Sequence, residues 1–303
     1  MGFRLWEKSR GVWSERSFFS LLYGLTMLIV LGLLCSQILG ALTCQLFFDV
    51  AFFSSDSAFN IQDPSVINSL KCMQLFNAIG VFIFPSCLFF HFRDLPLLDR
   101  LNLNESLSPG LVFFLFLLAL AMIPAANFLG SLNEGIYLPD FLYFLKQIEA
   151  ETMVLTEQLM KMESYIDLVQ IIILVGILAA LGEELLFRGL LQNLFQEWWA
   201  KKHVAVWLTA FLFSIFHLQY QAVLPRFLLG ALIGYVYMNS DNLRTAILLH
   251  FFYNTSLIIL TFMIQHQILD ASWEFVGVEN ILFGVIALLF TTWFVFRFPL
   301  KTI

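Results

Sequence analysis

Long apolar segments separated by short polar ones make up most of this chain. Eight of them are apolar enough to be membrane-crossing helices, since about 20 apolar residues cross a bilayer as an α-helix. They cover residues 18–43, 72–92, 109–129, 166–196, 203–218, 225–239, 245–266 and 279–297. The fifth and sixth are short enough to be tilted or partly buried. The pattern predicts an all-α, polytopic membrane protein with about eight transmembrane helices.

The composition agrees with this fold class and narrows the partners. The 303 residues are 60% hydrophobic and 13% charged, whereas soluble domains carry about 25% charged residues. The chain has no basic cluster of the kind that nucleic-acid binding requires, so we expect the lipid bilayer and no nucleic acid among its partners. The four cysteines lie in or beside apolar segments without CxxC spacing, which is typical of packing residues.

The basic residues are distributed unequally along the predicted spans. Most of the 16 lysines and arginines fall in the N-terminal tail, the 93–108 loop, the 201–202 and 244 connections and the C-terminal tail, which eight spans place on one side. By the positive-inside rule, both termini are then cytoplasmic. The opposite side carries an acidic loop, 130–165, in which residues 141–165 form an amphipathic pattern. We expect this helix to lie along the outer interface, where it either rests or serves as a lid or substrate guide.

The fourth apolar segment contains three charged residues within six positions, Glu183, Glu184 and Arg188. Each ionisable side chain at mid-membrane depth costs about 2.5–3.5 kcal/mol on insertion scales, so these residues need a specific role. Glu184 and Arg188 are four positions apart and share a helix face, which predicts a structural ion pair. Glu183 lies about 100° around the helix and has no partner in this segment. It is therefore the carboxylate expected to be available for chemistry.

Two other apolar segments contain polar residues one helical turn apart. The fifth carries Phe213 and His217, and the seventh carries His250 and Asn254. Either histidine alone would be interpreted as a packing residue. A carboxylate, two histidines and an amide on three helices cannot all be satisfied by lipid, so we expect them to face inward and meet. Such a cluster could activate water and bind an oxyanion.

These three motifs, Glu183-Glu184-x-x-x-Arg188, Phe213-x-x-x-His217 and His250-x-x-x-Asn254, resemble those of the CPBP family. This family includes CAAX prenyl endopeptidases and bacteriocin-processing and Abi-type membrane proteins. The resemblance covers about residues 166–260, including Gly230 and Gly234, which fit the family's close helix packing. It implies a CAAX-protease-like core in 166–260, preceded by N-terminal helices and an external loop (1–165) and followed by a C-terminal helix (261–303), all treated as one membrane domain.

The resemblance also implies an activity, namely hydrolysis of a peptide bond in a membrane-associated or lipidated substrate, in an integral protein of the bacterial inner membrane. Glu183 would be the general base for water, assisted by His217. His250 and Asn254 would bind the oxyanion or complete the water site. His217 and His250 with a carboxylate would suit Zn²⁺, but a metal-free, glutamate-activated water uses the same residues, and both alternatives stay open. The competing function is a non-catalytic membrane immunity or scaffold protein.

One geometric expectation conflicts with a shared site. Counted along straight helices from the cytoplasmic ends of their spans, Glu183 and His217 lie roughly 20 Å deep, whereas His250 lies about 10 Å deep. The loop near 239–244 must therefore enter the protein, or the spans must tilt, if the three side chains are to meet.

Overall fold

The chain folds into a bundle of apolar helices, shown by a computed structural model that describes residues 7–52, 63–96, 101–104, 106–135 and 138–297. All regular secondary structure in these ranges is helical. The helices discussed below are α1 (Phe18–Phe48), α2 (Pro64–Phe92), α3 (Pro109–Glu134), α4 (Tyr143–Leu159), α5 (Tyr165–Trp199), α6 (Lys202–Phe216), α7 (Val223–Ser240), α8 (Leu243–Gln265) and α9 (Ile281–Arg297). Of the basic residues used to orient the chain, Arg4, Arg100 and Lys301 lie outside the described residues.

Within the described ranges, six helical segments are long and apolar enough to cross a membrane, and the shorter apolar helices α6 and α9 accompany them. These eight correspond one to one with the predicted spans, which confirms the all-α polytopic fold class. The second helix begins at Pro64, eight residues before its predicted span, because Asp63 caps it and proline is tolerated at the first helical position. The fifth segment forms the short helix α6, as the pattern predicted, whereas the sixth segment forms a helix long enough to cross a membrane.

Two of the long helices change their winding partway along. α2 contains a π-helical segment at Ala78–Ile83, followed at once by Phe84 and Pro85, and proline cannot donate the backbone hydrogen bond that a regular α-helix needs there. α5 contains two such segments, Ile172–Leu178 and Leu185–Gln192. Glu183 and Glu184 end the short α-helical segment between them. Such local widening of a helix is frequent at functional sites.

The helices that carry the polar residues pack against one another. α6 lies along α7, α3 packs against α7, α8 and α9, and α5 contacts α2, α6 and α8. Gly230 and Gly234 of α7 permit the close approach: a Cβ at Gly230 would lie 3.2 Å from Ala210 Cα, and one at Gly234 would lie 3.0 Å from a Val206 methyl carbon. The fit of both glycines to close packing, expected from the resemblance, therefore has a structural reason.

The amphipathic pattern over 141–165 forms α4, with its long exposed apolar side chains and one buried residue, Glu149. Glu149 Oε1 accepts a hydrogen bond from the backbone N–H of Gln221, at 3.2 Å. Gln221 belongs to the 3₁₀ segment Tyr220–Ala222 that leads into α7. α4 is thus attached by a buried carboxylate to the entrance of α7.

Candidate active site

A cavity of about 690 Å³ lies among the helices that carry the predicted site residues. Glu183, His217, His250 and Asn254 all line it, together with apolar residues of α5 and α7 such as Val175, Leu229 and Ile233. The structure therefore brings the four polar residues of three separate helices to one cavity. Apolar and polar side chains line this cavity in about equal number. A concave site in which several polar groups converge among apolar ones is suited to binding a ligand.

Glu183 faces the cavity between the two histidines. Its Oε2 lies 4.0 Å from Nε2 of His217 and 4.0 Å from Nε2 of His250. Both distances exceed a direct hydrogen bond and are short enough for one bridging water molecule. The carboxylate side chain is 13% exposed, so it reaches the cavity while most of it stays covered.

His217 is oriented by its own helix. Its Nδ1 lies 2.8 Å from the carbonyl oxygen of Phe213. Because a carbonyl oxygen only accepts, Nδ1 carries the hydrogen, and Nε2 of the neutral ring is an acceptor directed towards Glu183. The four-residue separation of Phe213 and His217 therefore places the two groups that form this hydrogen bond one helical turn apart. Phe213 also packs edge-on against the rings of both His217 and His250.

Glu184 and Arg188 form a fully buried ion pair, with 2.7 Å between Oε1 and Nη1 and no exposure of either side chain. Arg188 also donates from Nη2 to the carbonyl oxygen of Gly230, at 2.8 Å, and its guanidinium lies over the Phe213 ring. The pair therefore links α5 to α6 and α7. Hydrogen bonds to both charged partners offset part of the cost of removing them from water.

Glu184 has a second partner that sequence spacing did not predict. Its Oε1 also lies 2.7 Å from Nδ1 of His250. This contact fixes the ring of His250 so that Nε2 faces Glu183, as a buried carboxylate commonly does for a functional histidine. Glu184 thus contacts one predicted site residue directly, besides forming the ion pair.

Asn254 lies one turn beyond His250 and is held by α5. Its Nδ2 donates to the carbonyl oxygen of Val175, at 3.0 Å. That carbonyl precedes Gly176, where a Cβ would lie 2.9 Å from the hydroxyl of Thr255, so α5 and α8 approach closely here. One of the two amide hydrogens of Asn254 is used by this bond, and the other remains for a ligand.

The connection between α7 and α8 is short and partly buried. α7 ends at Ser240 and α8 begins at Leu243. Asn242 and Leu243 are buried, and the Leu243 N–H donates to the carbonyl oxygen of Leu101. The connection is therefore packed against the segment around Leu101, as expected if the loop near 239–244 enters the protein.

The two histidines and Glu183 are of the residue types that bind zinc, but their side chains are not arranged as a zinc site. Two imidazoles held through Nδ1, with Nε2 directed at a carboxylate, resemble zinc ligands. Within the described part of the chain, however, no three His, Cys, Asp or Glu side chains are arranged so that they could hold a metal ion. The residues as placed do not fit Zn²⁺.

Arg226 is a charged cavity residue that the motifs did not identify. It lies in the first turns of α7 and lines the same cavity. The argument for Glu183 does not extend to Arg226, because Arg226 is the second residue of the sixth apolar segment and not at its middle. Its position next to the polar cluster could come only from the packing of α7 against α5 and α8.

The segment of the chain that contains all three motifs matches a known protein family. Residues 165–256 match the family model described as type II CAAX prenyl endopeptidase Rce1-like. This agrees with the resemblance drawn from the three motifs and confirms it for this segment. No curated protein and no solved structure matches the chain significantly.

Proposed function

We propose that this protein is an intramembrane endopeptidase that hydrolyses a peptide bond of a membrane-associated or lipidated substrate, since residues 165–256 match the family model described as type II CAAX prenyl endopeptidase Rce1-like. The observation that carries the proposal is the position of Glu183, whose carboxylate faces two imidazole Nε2 atoms at 4.0 Å inside a cavity of about 690 Å³. A carboxylate with room for one water between itself and a histidine is suited to general base catalysis.

In this mechanism a water molecule binds between Glu183 and His217. Glu183 removes a proton from the water as its oxygen attacks the carbonyl carbon of the scissile bond. The hydrogen bond from the water to His217 Nε2 orients the second hydrogen, because Nδ1 of that ring donates to Phe213. When the carbon–nitrogen bond breaks, Glu183 returns the proton to the leaving nitrogen.

His250 and Asn254 supply donors for the oxyanion that forms on the carbonyl oxygen. Asn254 has one free amide hydrogen after its bond to Val175. His250 donates from Nε2 when its ring is protonated, with Nδ1 held by Glu184. Donors fixed before the reaction are worth about 10²–10³ in rate each, because they need no reorganisation in the transition state. We propose no metal in this mechanism, since the placed residues do not fit one.

The test is cleavage by purified protein of a panel of membrane-anchored and lipidated peptides, with new termini identified by mass spectrometry. Glu183→Gln should lower turnover by about 10²-fold or more. Because Glu183 and His217 act on one water, adding His217→Ala to Glu183→Gln should cost little further activity. Wild-type turnover by the Glu183→Gln variant would refute this active site.

A chelator separates the two mechanisms that the sequence left open. If Glu183 activates the water without a metal, turnover should be the same in the presence of a chelator, in its absence and with added Zn²⁺. Loss of cleavage with the chelator and recovery with zinc would replace the proposal by a metal mechanism. Failure of every peptide to be cleaved, combined with capture of a protein partner that survives substitution of Glu183, His217, His250 and Asn254, would instead favour the scaffold function.

A further inference from the structure

Two of the four cysteines lie where α1 packs against α2. Cys44 is near the C-terminal end of α1 and is fully buried, and Cys72 is in the first half of α2 and is partly exposed. The Sγ of Cys44 donates to the carbonyl oxygen of Ser69, at 3.5 Å, one helical turn from Cys72. The two thiol groups also interact with each other. The proposed catalytic mechanism uses neither of them.

The two helices run antiparallel and approach closely along the line that leads to Cys44. Ser36 Oγ donates to Asn77 Oδ1 at 3.2 Å, and a Cβ at Gly40 would lie 2.6 Å from Sδ of Met73. Small residues at four-residue intervals allow helix backbones in a membrane to approach each other. A disulfide needs such an approach, because its two Cα atoms lie within about 7 Å. The cysteine pair therefore lies in an interface whose packing suits a disulfide.

The predicted orientation of the chain places this pair in an oxidising compartment. With both termini in the cytoplasm, as the distribution of basic residues predicts, the C-terminal end of α1 and the N-terminal end of α2 face the outer side. Disulfides form and persist in compartments outside the cytoplasm. Cys35 and Cys87 are exposed on the surfaces of α1 and α2 and provide an internal comparison.

We propose that Cys44 and Cys72 form a reversible disulfide, with a disulfide-bonded oxidant of the outer compartment as the electron acceptor. The partly exposed Cys72 attacks one sulfur of the oxidant as a thiolate, which forms a mixed disulfide and releases the other sulfur of the oxidant as a thiol. The Cys44 thiolate then attacks the Cys72 sulfur and releases the second thiol of the oxidant. Two electrons and two protons thus pass from the cysteine pair to the oxidant, whose disulfide becomes two thiols.

The bond stabilises a pair of helices that supports the proposed active site. A disulfide stabilises a protein mainly by restricting the unfolded chain, and this one closes the connection between α1 and α2. Lys71, next to Cys72, donates hydrogen bonds to Asp167 and Gln170 of α5, at 2.9 Å each. The disulfide therefore fixes α1 to the part of α2 that is attached to α5.

The thiol state of the full-length protein in cells tests the inference. Membranes are dissolved in SDS with iodoacetamide, so that every free thiol is alkylated, including buried ones. Disulfides are then reduced with dithiothreitol, and the thiols that they release are alkylated with N-ethylmaleimide before mass spectrometry. Cys44 and Cys72 should carry the maleimide, and Cys35 and Cys87 should carry the iodoacetamide label. An unreduced digest should contain a peptide that links Cys44 to Cys72 and is lighter by two hydrogens than its two parts.

The other two cysteines supply the matched control. The double variant Cys35→Ser, Cys87→Ser should keep the linked peptide, whereas Cys72→Ser should leave Cys44 labelled with iodoacetamide. Dithiothreitol should lower the thermal unfolding temperature of the detergent-solubilised wild type and of the double variant by several degrees. It should not change the unfolding temperature of Cys72→Ser, which has no bond to reduce.

Recovery of Cys44 and Cys72 from cells as free thiols would overturn the inference, as would a linked peptide that joins either of them to another cysteine instead. An unfolding temperature of the wild type that dithiothreitol does not change would refute the stabilising role of the bond. None of these measurements depends on turnover, so failure of the proposed function would leave their outcome unchanged.

Discussion

Glu183 and Glu184 are adjacent in the chain, yet their side chains have different surroundings. Glu183 faces the cavity without a direct hydrogen bond, whereas Glu184 is fully buried between Arg188 and His250. We expect Glu183→Gln to leave the thermal stability nearly unchanged. Glu184→Gln should lower the free energy of unfolding by about 3–5 kcal/mol, because it leaves the Arg188 charge buried without a counterion. Thermal unfolding of the two detergent-solubilised variants measures the difference.

The two substitutions are matched in size and charge, so each serves as the control for the other. Glu184→Gln should also reduce turnover of the protein that remains folded, since the orientation of His250 depends on the same carboxylate. A destabilised Glu183→Gln with a fully stable Glu184→Gln would mean that the two roles are reversed.

At the scale of helices, the position of Glu183 depends on how closely α5 approaches α2. Gly182 precedes Glu183, and a Cβ at this position would lie 2.9 Å from Phe82 Cβ in the π-helical segment of α2. Gly182→Ala should therefore displace α5, because Phe82 Cβ is too close to the backbone to move away. We expect a loss of about 1–3 kcal/mol in stability and a lower turnover. Gly110→Ala is the control, since its nearest neighbour would be 4.0 Å away. Equal effects of the two substitutions would show that the contact between Gly182 and Phe82 does not determine the position of Glu183.

At the scale of the whole molecule, the unequal distribution of basic residues predicts how the bundle is oriented in the membrane. Lys201, between α5 and α6, should face the cytoplasm, and Glu157, exposed on α4, should face outward. Cysteines placed at these two positions, in a chain that lacks the four native cysteines, can be labelled in intact cells with an impermeant maleimide. Glu157→Cys should be labelled and Lys201→Cys protected, and permeabilised cells should label both. The reverse pattern would invert the orientation and the side from which a substrate enters.

The sequence by itself determined the features that depend on neighbouring residues. The order and type of the eight apolar helices follow from runs of apolar residues, which must hide their backbone groups in helices within a bilayer. The Glu184–Arg188 pair and the Phe213–His217 contact follow from the four-residue spacing of a helix turn. For the same reason, the polar residues on α5, α6 and α8 could be recognised as candidates for one site.

Only the tertiary structure decided how these residues are combined. The bond between Glu184 and His250, the support of Asn254 by the Val175 carbonyl, and the place of Arg226 in the cavity all join segments far apart in the chain. No local sequence pattern predicts these contacts. Every residue has a backbone carbonyl, and the packing of distant helices determines which carbonyl accepts the hydrogen bond. The burial of Asn242 and the π-helical segments of α5 likewise could not be predicted from the apolar pattern, because that pattern was interpreted as straight, regular helices joined by exposed loops.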